Sequence, residues 1–271
     1  MSTQDASLAG RLDEAVRDAG SRLVAARPEF EAALLRARDL YARGFVAARV
    51  AANRVRFDAP VRPYRLLDVD PHDVEYVREF EGPKFRHAGL VAGGDWDRTD
   101  LRFEEMDVYR AYERHFEDGV PWEETAFFDR VVAEVESGRE KWGCASRAAF
   151  ERRCRRLDDL YEDIATEGFR TQAELREAGD ATIKGPASLK TERYKDEIAV
   201  HVDRNGEFLF EDGRNRLSIA KLLDLDSVPV RVLRRHADWQ RLRDAYVAGD
   251  ERVRGWGDHP DLAGLAFGSK S

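Results

Sequence analysis

The stretch from Ile198 to Val232 constrains this chain most. It contains the apolar run Ile198 to Val202, an Asn205-Gly206 pair and a second apolar run from Phe208. The segment Asp212-Gly213-Arg214-Asn215-Arg216 follows, then Leu217 to Leu223, then Val228-Pro229-Val230. Asn-Gly between two apolar runs is a hairpin signal. Leu217, Ile219, Ala220, Leu222 and Leu223 give the next segment a buried helical face. Proline is tolerated where Val228-Pro229-Val230 would open a last strand. The order is strand, turn, strand, glycine corner, helix, strand, which predicts an α+β fold.

The corner lies where a strand hands over to a helix N-terminus. Unpaired backbone N–H groups and the positive end of the helix dipole attract anions there. Cations at that end oppose the dipole, so Arg214 and Arg216 together call for an anion, and guanidinium forks suit phosphate. The competing structural reading pairs these arginines with Glu211 or Asp212.

Composition bounds the partners. Charged residues make up 36% of the 271, hydrophobic residues 42%, and the net charge is −8. Only seven of the 45 cations are lysine. Many acids with an arginine-dominated cation set form a halophile-like composition that stays hydrated in salt. The acidic balance argues against DNA as a partner, because duplex binding needs a basic face. Cys144 and Cys154 provide neither a disulfide framework nor a zinc pair. No apolar run is long enough to span a membrane, and the N-terminus lacks the features of a signal peptide. A cytoplasmic location is the expectation.

Along the chain, residues 7–56 read as helix, with Ser7 and Pro28 as start signals. Phe30, Leu34, Ala37, Leu40, Tyr41 and Phe45 form one stripe, and Arg36, Arg38, Arg43, Arg49, Arg54 and Arg56 lie off it. That basic amphipathic helix, 30–56, either docks on the acidic body or contacts a membrane surface or acidic partner. Residues 57–65 are a proline-punctuated linker, followed by short strands near 64–70 and 74–80. Helices are expected within 103–136, over 146–167 with Ser146 as cap and Gly168 as stop, and over 171–179. The polar stretch 180–196 reads as a loop. After His236 a helix through Val247 gives way to a glycine-rich frayed end. The domain expectation is an N-terminal helical extension at 1–60, a core at 61–236 interrupted by a helical insertion at about 100–156, and a terminal piece at 237–271.

A second unusual segment is Gly93-Gly94-Asp95-Trp96-Asp97. Two carboxylates around an indole suit a general base, a metal-bridged phosphate or a stacking platform. The alternative is a tight turn with Trp96 plugging the core.

Leu157 to Gly168, Ile198 to Gly206, Gly213-x-x-Arg216-x-x-x-Ala220 and Val228-Pro229-Val230 together resemble the ParB/sulfiredoxin superfamily over about 80 residues, with 64–80 as an opening strand. The resemblance implies a small mixed-sheet core whose corner binds nucleotide phosphates: Gly213 and Arg216 in contact, with Asp212, Arg214 and Asn215 alongside. The chain departs from several members. It has no cysteine at the corner, which argues against sulfinic-acid repair, and 35 residues follow His236 where partition proteins carry a DNA-binding domain. Kinase-type members often place histidine where Asn215 stands.

Two functions follow as expectations. The first is a nucleotide-dependent phosphotransferase using ATP, ADP or CTP with Mg²⁺ and a small hydroxyl compound or glycan as acceptor. In it Arg214 and Arg216 neutralise phosphate, Asp95 and Asp97 hold the metal or act as base, Trp96 stacks on sugar or base, and His201 is a spare acid/base group. Arg216→Ala should then abolish nucleotide binding and leave the fold intact. The second is a non-enzymatic nucleotide-binding regulatory module, which needs the corner but no carboxylate base. The position of Asp95 and Asp97 relative to the corner separates the two.

Overall fold

A computed structural model describes residues 31–179 and 197–269. The expected caps at Ser7 and Pro28 and the expected loop 180–196 lie outside them. The chain divides into two compact units, Met1–Phe45 and Val46–Ser271, a boundary earlier than the expected one near residue 60. Helix α1, Glu31–Arg56, begins in the first unit and ends in the second. Within the second unit its last turns are anchored by polar bonds: Asn53 Nδ2 donates to the Gly89 carbonyl at 2.8 Å, and Arg49 donates to the Arg86 carbonyl.

Among the described residues six short strands follow in a mixed sheet: β1 (Leu66–Val69), β2 (Tyr76–Val77), β3 (Leu90–Ala92), β4 (Ile198–Val202), β5 (Phe208–Asp212) and β6 (Val228–His236). The spatial order is β1-β6-β4-β5-β2, with β3 also on β6. β4 and β5 form the antiparallel hairpin expected from Asn205-Gly206, with Val202 opposite Phe208. β6 runs parallel to β4. Its other side carries β1, antiparallel, opposite Val228 to Arg231, and β3, parallel, opposite Arg234 to His236. Pro229 lies one residue before the first β6 residue paired with β4, so its missing N–H breaks no bond to that strand.

Period-2 alternation sends Ile198, Val200, Val202, Phe208, Phe210, Val230 and Val232 to one face. There they pack against Leu217 and Ala220 of helix α6 (Arg214–Leu222), Trp239 and Tyr246 of helix α7 (Ala237–Val247), and Leu262. The helical layer comprises α2 (Asp107–Phe116), α3 (Ala126–Glu136), α4 (Arg147–Glu167) and α5 (Gln172–Glu177). It extends past the expected insertion limit of about 156, because α4 is one continuous helix. The Ser146 hydroxyl accepts from the Ala149 N–H at 3.3 Å, and Gly168 ends the helix at φ +82°. Phe127, Phe128, Val131, Phe150 and Leu157 form its core together with Ile219 of α6, which ties this layer to the corner helix. Cys144 and Cys154 are buried free thiols.

The expected frayed end is instead packed. Asp261 is 1% exposed, and its carboxylate accepts from Arg235 Nε at 2.8 Å, Arg235 Nη2 at 2.5 Å and Trp239 Nε1 at 2.9 Å. His259 Nε2 lies 2.8 Å from the Gly206 carbonyl, and Leu262 enters the core. Glycine content alone suggested fraying; one buried ion pair and one apolar anchor override it. The terminal piece thus belongs to the core of the second unit.

Candidate functional site

The corner between β5 and α6 opens into a cavity of about 1050 Å³. Gly213 makes the turn at φ +92°, a left-handed conformation that L side chains rarely adopt. A Cβ there would lie 2.8 Å from the Ile198 Cα, which belongs to buried β4 backbone and cannot yield cheaply. Gly213→Ala should therefore cost about 1–3 kcal/mol, measurable as a lower urea midpoint at unchanged slope. Gly213, the N-cap of α6, has no side chain to offer the first-turn N–H groups of the helix.

Among the described residues, cationic side chains line the cavity at six positions: Lys141, Arg153, Arg156, Arg170, Arg214 and Arg216. Carboxylates line it at four: Asp159, Asp163, Glu167 and Asp212. Among these described residues the balance is positive, in a chain of net charge −8. Trp142 forms part of the wall at φ +54°, with Arg153 and Arg214 each about 5.4 Å from its ring centroid. Arg214 Nη2 donates to Glu79, whereas Arg214 Nε, Arg153 Nε and Asn215 Oδ1 have neither a hydrogen-bond partner nor solvent exposure.

Arg216 does not share that role. It is 7% exposed, donates from Nη1 to Glu197 Oε2 at 2.9 Å and from Nη2 to the Arg170 carbonyl, and stacks on Phe169 at 4.2 Å. Glu197, 1% exposed, also accepts from the Gln172 N–H at 2.7 Å. The guanidinium borders the cavity but is occupied in tying α6 to the segment that leads into α5.

Asp95 and Asp97 lie elsewhere. Arg204, in the β4–β5 turn, donates from Nε to Asp97 Oδ2 at 2.8 Å, and from Nη2 to Asp97 Oδ1 at 2.7 Å and Asp95 Oδ1 at 2.8 Å. Burial alone would raise the Asp97 carboxyl, but the Arg204 hydrogen bonds outweigh it and bring it down to about 2. The same hydrogen bonding lowers Asp95. The turn is at the far end of β5 from Gly213. With Ala199 opposite Asp212, Arg204 is five residues further along, about 17 Å at strand rise. Two neutralised carboxylates at that distance neither serve the corner as base nor hold a metal there. Among the described residues, no group of three or more His, Cys, Asp or Glu side chains could hold a metal ion. Trp96 is likewise away from the cavity: its Nε1 donates to the Ala92 carbonyl at 3.0 Å, and its ring meets Phe80, His201 and His236. The Gly-Gly-Asp-Trp-Asp segment is thus a turn after β3 that clamps the hairpin.

His201 is fully buried, with Nε2 2.7 Å from Glu211 Oε2, and Lys84 donates to the other oxygen. Burial lowers the imidazole. Burial alone would raise Glu211, but its partners hold it low. The arrangement is a neutral His201 donating to an ionised Glu211 balanced by Lys84, a structural brace without access to solvent.

The wall residues Trp142, Arg153, Arg156 and Arg170 were missed from sequence. One signal existed: Arg153 and Arg156 are three apart on a helix and share a face. No protein-family model, curated protein or solved structure matches the chain, so the reading of the site rests on its own geometry.

Proposed function

We propose that this chain binds a nucleotide, with the phosphates at the N-terminus of α6 and the rest of the ligand in the cavity beside it. The carrying observation is the coincidence of an uncapped helix start, a cation-rich wall and a volume of about 1050 Å³. Ligand pockets of several hundred to about a thousand Å³ enclose molecules of that size. The resemblance of Gly213 to Ala220 to the ParB/sulfiredoxin corner points to the same ligand class. The distance of Asp95 and Asp97 from the corner favours the non-enzymatic, regulatory form of this reading. Exposed Val55 beside the exposed Arg54 and Arg56 at the end of α1 would supply its partner or membrane contact.

One observation favours catalysis as a second reading. Asp159, Asp163 and Glu167 recur every four residues on α4 and face the same cavity as Arg214. A phosphotransferase acting on a small hydroxyl compound or glycan, with Mg²⁺ carried by the nucleotide, would draw its base from this row.

The test is a thermal-shift screen of ATP, ADP, CTP and GTP with and without Mg²⁺. A ligand at 100-fold over its Kd stabilises by about 2.7 kcal/mol, so at least one nucleotide should raise Tm. Arg214→Ala should weaken that ligand about tenfold or more, the scale of a lost charged hydrogen bond, with little loss of stability. Asp97→Asn should leave affinity unchanged. No shift with any nucleotide would remove the proposal. Turnover of a hydroxyl acceptor that is lost in Asp163→Asn would select the catalytic form.

A further inference from the structure

A second cavity, unrelated to the corner, lies where the 60–65 segment meets the end of β6, helix α7 and the loop bearing Asp261. It measures about 10 Å³ and is bordered by Arg62, Arg65, Arg235, Arg243 and Asp261, with Pro60 and Leu265 as its apolar wall. That volume admits about one water-sized particle. Among the described residues, the buried Arg235 and Arg243 lie against Asp261, with Arg65 half-buried and Arg62 exposed at the rim, and Asp244, which accepts from the Ala59 N–H at 2.8 Å and Gln240 Nε2 at 3.0 Å, adds a second negative charge beside Arg243.

The donors point to an occupant. Arg235 and Arg243 are each 3% exposed. Arg235 spends Nε and Nη2 on Asp261, which leaves Nη1 buried without a hydrogen-bond partner. Arg243 gives Nη1 to Gln240 and Nη2 to the Pro60 carbonyl, while its Nε lies 3.2 Å from Asp261 Oδ2 without a formed hydrogen bond. Four cations beside two carboxylates leave a local positive surplus at the rim, which an anion would offset. The volume excludes phosphate, sulfate and carboxylate ligands. Pro60 and Leu265 favour a weakly hydrated, polarizable ion over fluoride.

We propose that this cavity binds a single monovalent halide, chloride in the cell, held by Arg235 Nη1 and the surplus charge of Arg62 and Arg65. The ion would complete the buried network that fixes the C-terminal segment to β6. Binding here is independent of any nucleotide at the corner.

The test uses the full chain in two measurements. Crystals grown in sodium bromide should show an anomalous peak within hydrogen-bonding distance of Arg235 Nη1. Melting at matched ionic strength should give a higher Tm in chloride and bromide than in fluoride, saturating with concentration. Arg65→Gln removes surplus charge without touching the Asp261 pair, and should weaken the apparent halide affinity about tenfold. Arg62→Gln, at an exposed position, should act in the same direction and guards against misfolding of the first variant. A cavity without anomalous signal, or halide stabilisation unchanged in both variants, would overturn the assignment.

Discussion

Arg216→Ala should lower the unfolding free energy by about 3–5 kcal/mol, the cost of removing one partner from a buried ion pair. The loss falls on Glu197, which is 1% exposed and would keep a single donor, the Gln172 N–H. An uncompensated carboxylate in that position costs more than the pair itself contributes. Total stability for a domain is about 5–15 kcal/mol, so the variant would be marginal rather than a clean probe of binding. Urea melts at pH 7 measure this directly. The double variant Arg216→Met with Glu197→Met should recover most of the loss, because replacing both partners by apolar groups is often neutral. A loss below about 1 kcal/mol in the single variant would show that water already reaches Glu197, since exposed pairs are worth that little. Ligand affinity is better assigned with Arg214, whose side chain is 26% exposed and whose pairing partner, Glu79, is 45% exposed.

Asp261→Asn should be comparably severe, again about 3–5 kcal/mol. It leaves Arg235 and Arg243 buried with their shared counter-ion gone. Its pH signature follows from the same contacts. Burial alone would raise the Asp261 carboxyl, yet the charges of Arg235 and Arg243 and the hydrogen bonds from Arg235 and Trp239 outweigh it and hold it far below the usual range. A carboxyl depressed in the folded state stabilises fully above its unfolded pKa of about 3.9 and loses that contribution as pH falls below it. Wild-type protein should therefore lose this contribution progressively below about pH 4, and the variant should lack that part of the acid limb. A parallel acid limb in both proteins would mean that other carboxylates dominate acid unfolding.

Local features were legible in the sequence. Ser146 and Gly168 bracket α4 as their capping chemistry requires, Asn205-Gly206 makes the β4–β5 turn, Gly213 makes the corner, and α7 ends at Val247 as its periodicity foretold. These depend on neighbours within a few residues. What stayed hidden depends on distant partners. β3 has only three residues and is a strand because His236, more than 140 positions away, pairs with Ala92. Asp95 and Asp97 look poised for catalysis until Arg204 is placed on them. Arg216 looks like a phosphate ligand until Glu197 is placed against it. A charge in a motif has the same letter whether it is free or neutralised, and only tertiary structure supplies its counter-ion. The cavity wall was hidden for a related reason: Trp142, Arg153 and Arg214 come from three separate segments.

The position of β6 also sets an order on synthesis. β6 is the strand that β1, β3 and β4 all require, and it comes near the end of the chain. Leu66 has no sheet partner until Arg231 has been made, about 165 residues later. At ribosomal rates of about 5–20 residues per second, that interval is roughly 8–33 s. Through it the apolar residues of β1 and β3 stay without their pairing strand, while α2 to α4 can collapse locally on one another. The nascent chain therefore passes through a period as a helical body with unpaired strand segments. That period is when it would depend most on holding chaperones, and when slow codons after residue 167 would be costly.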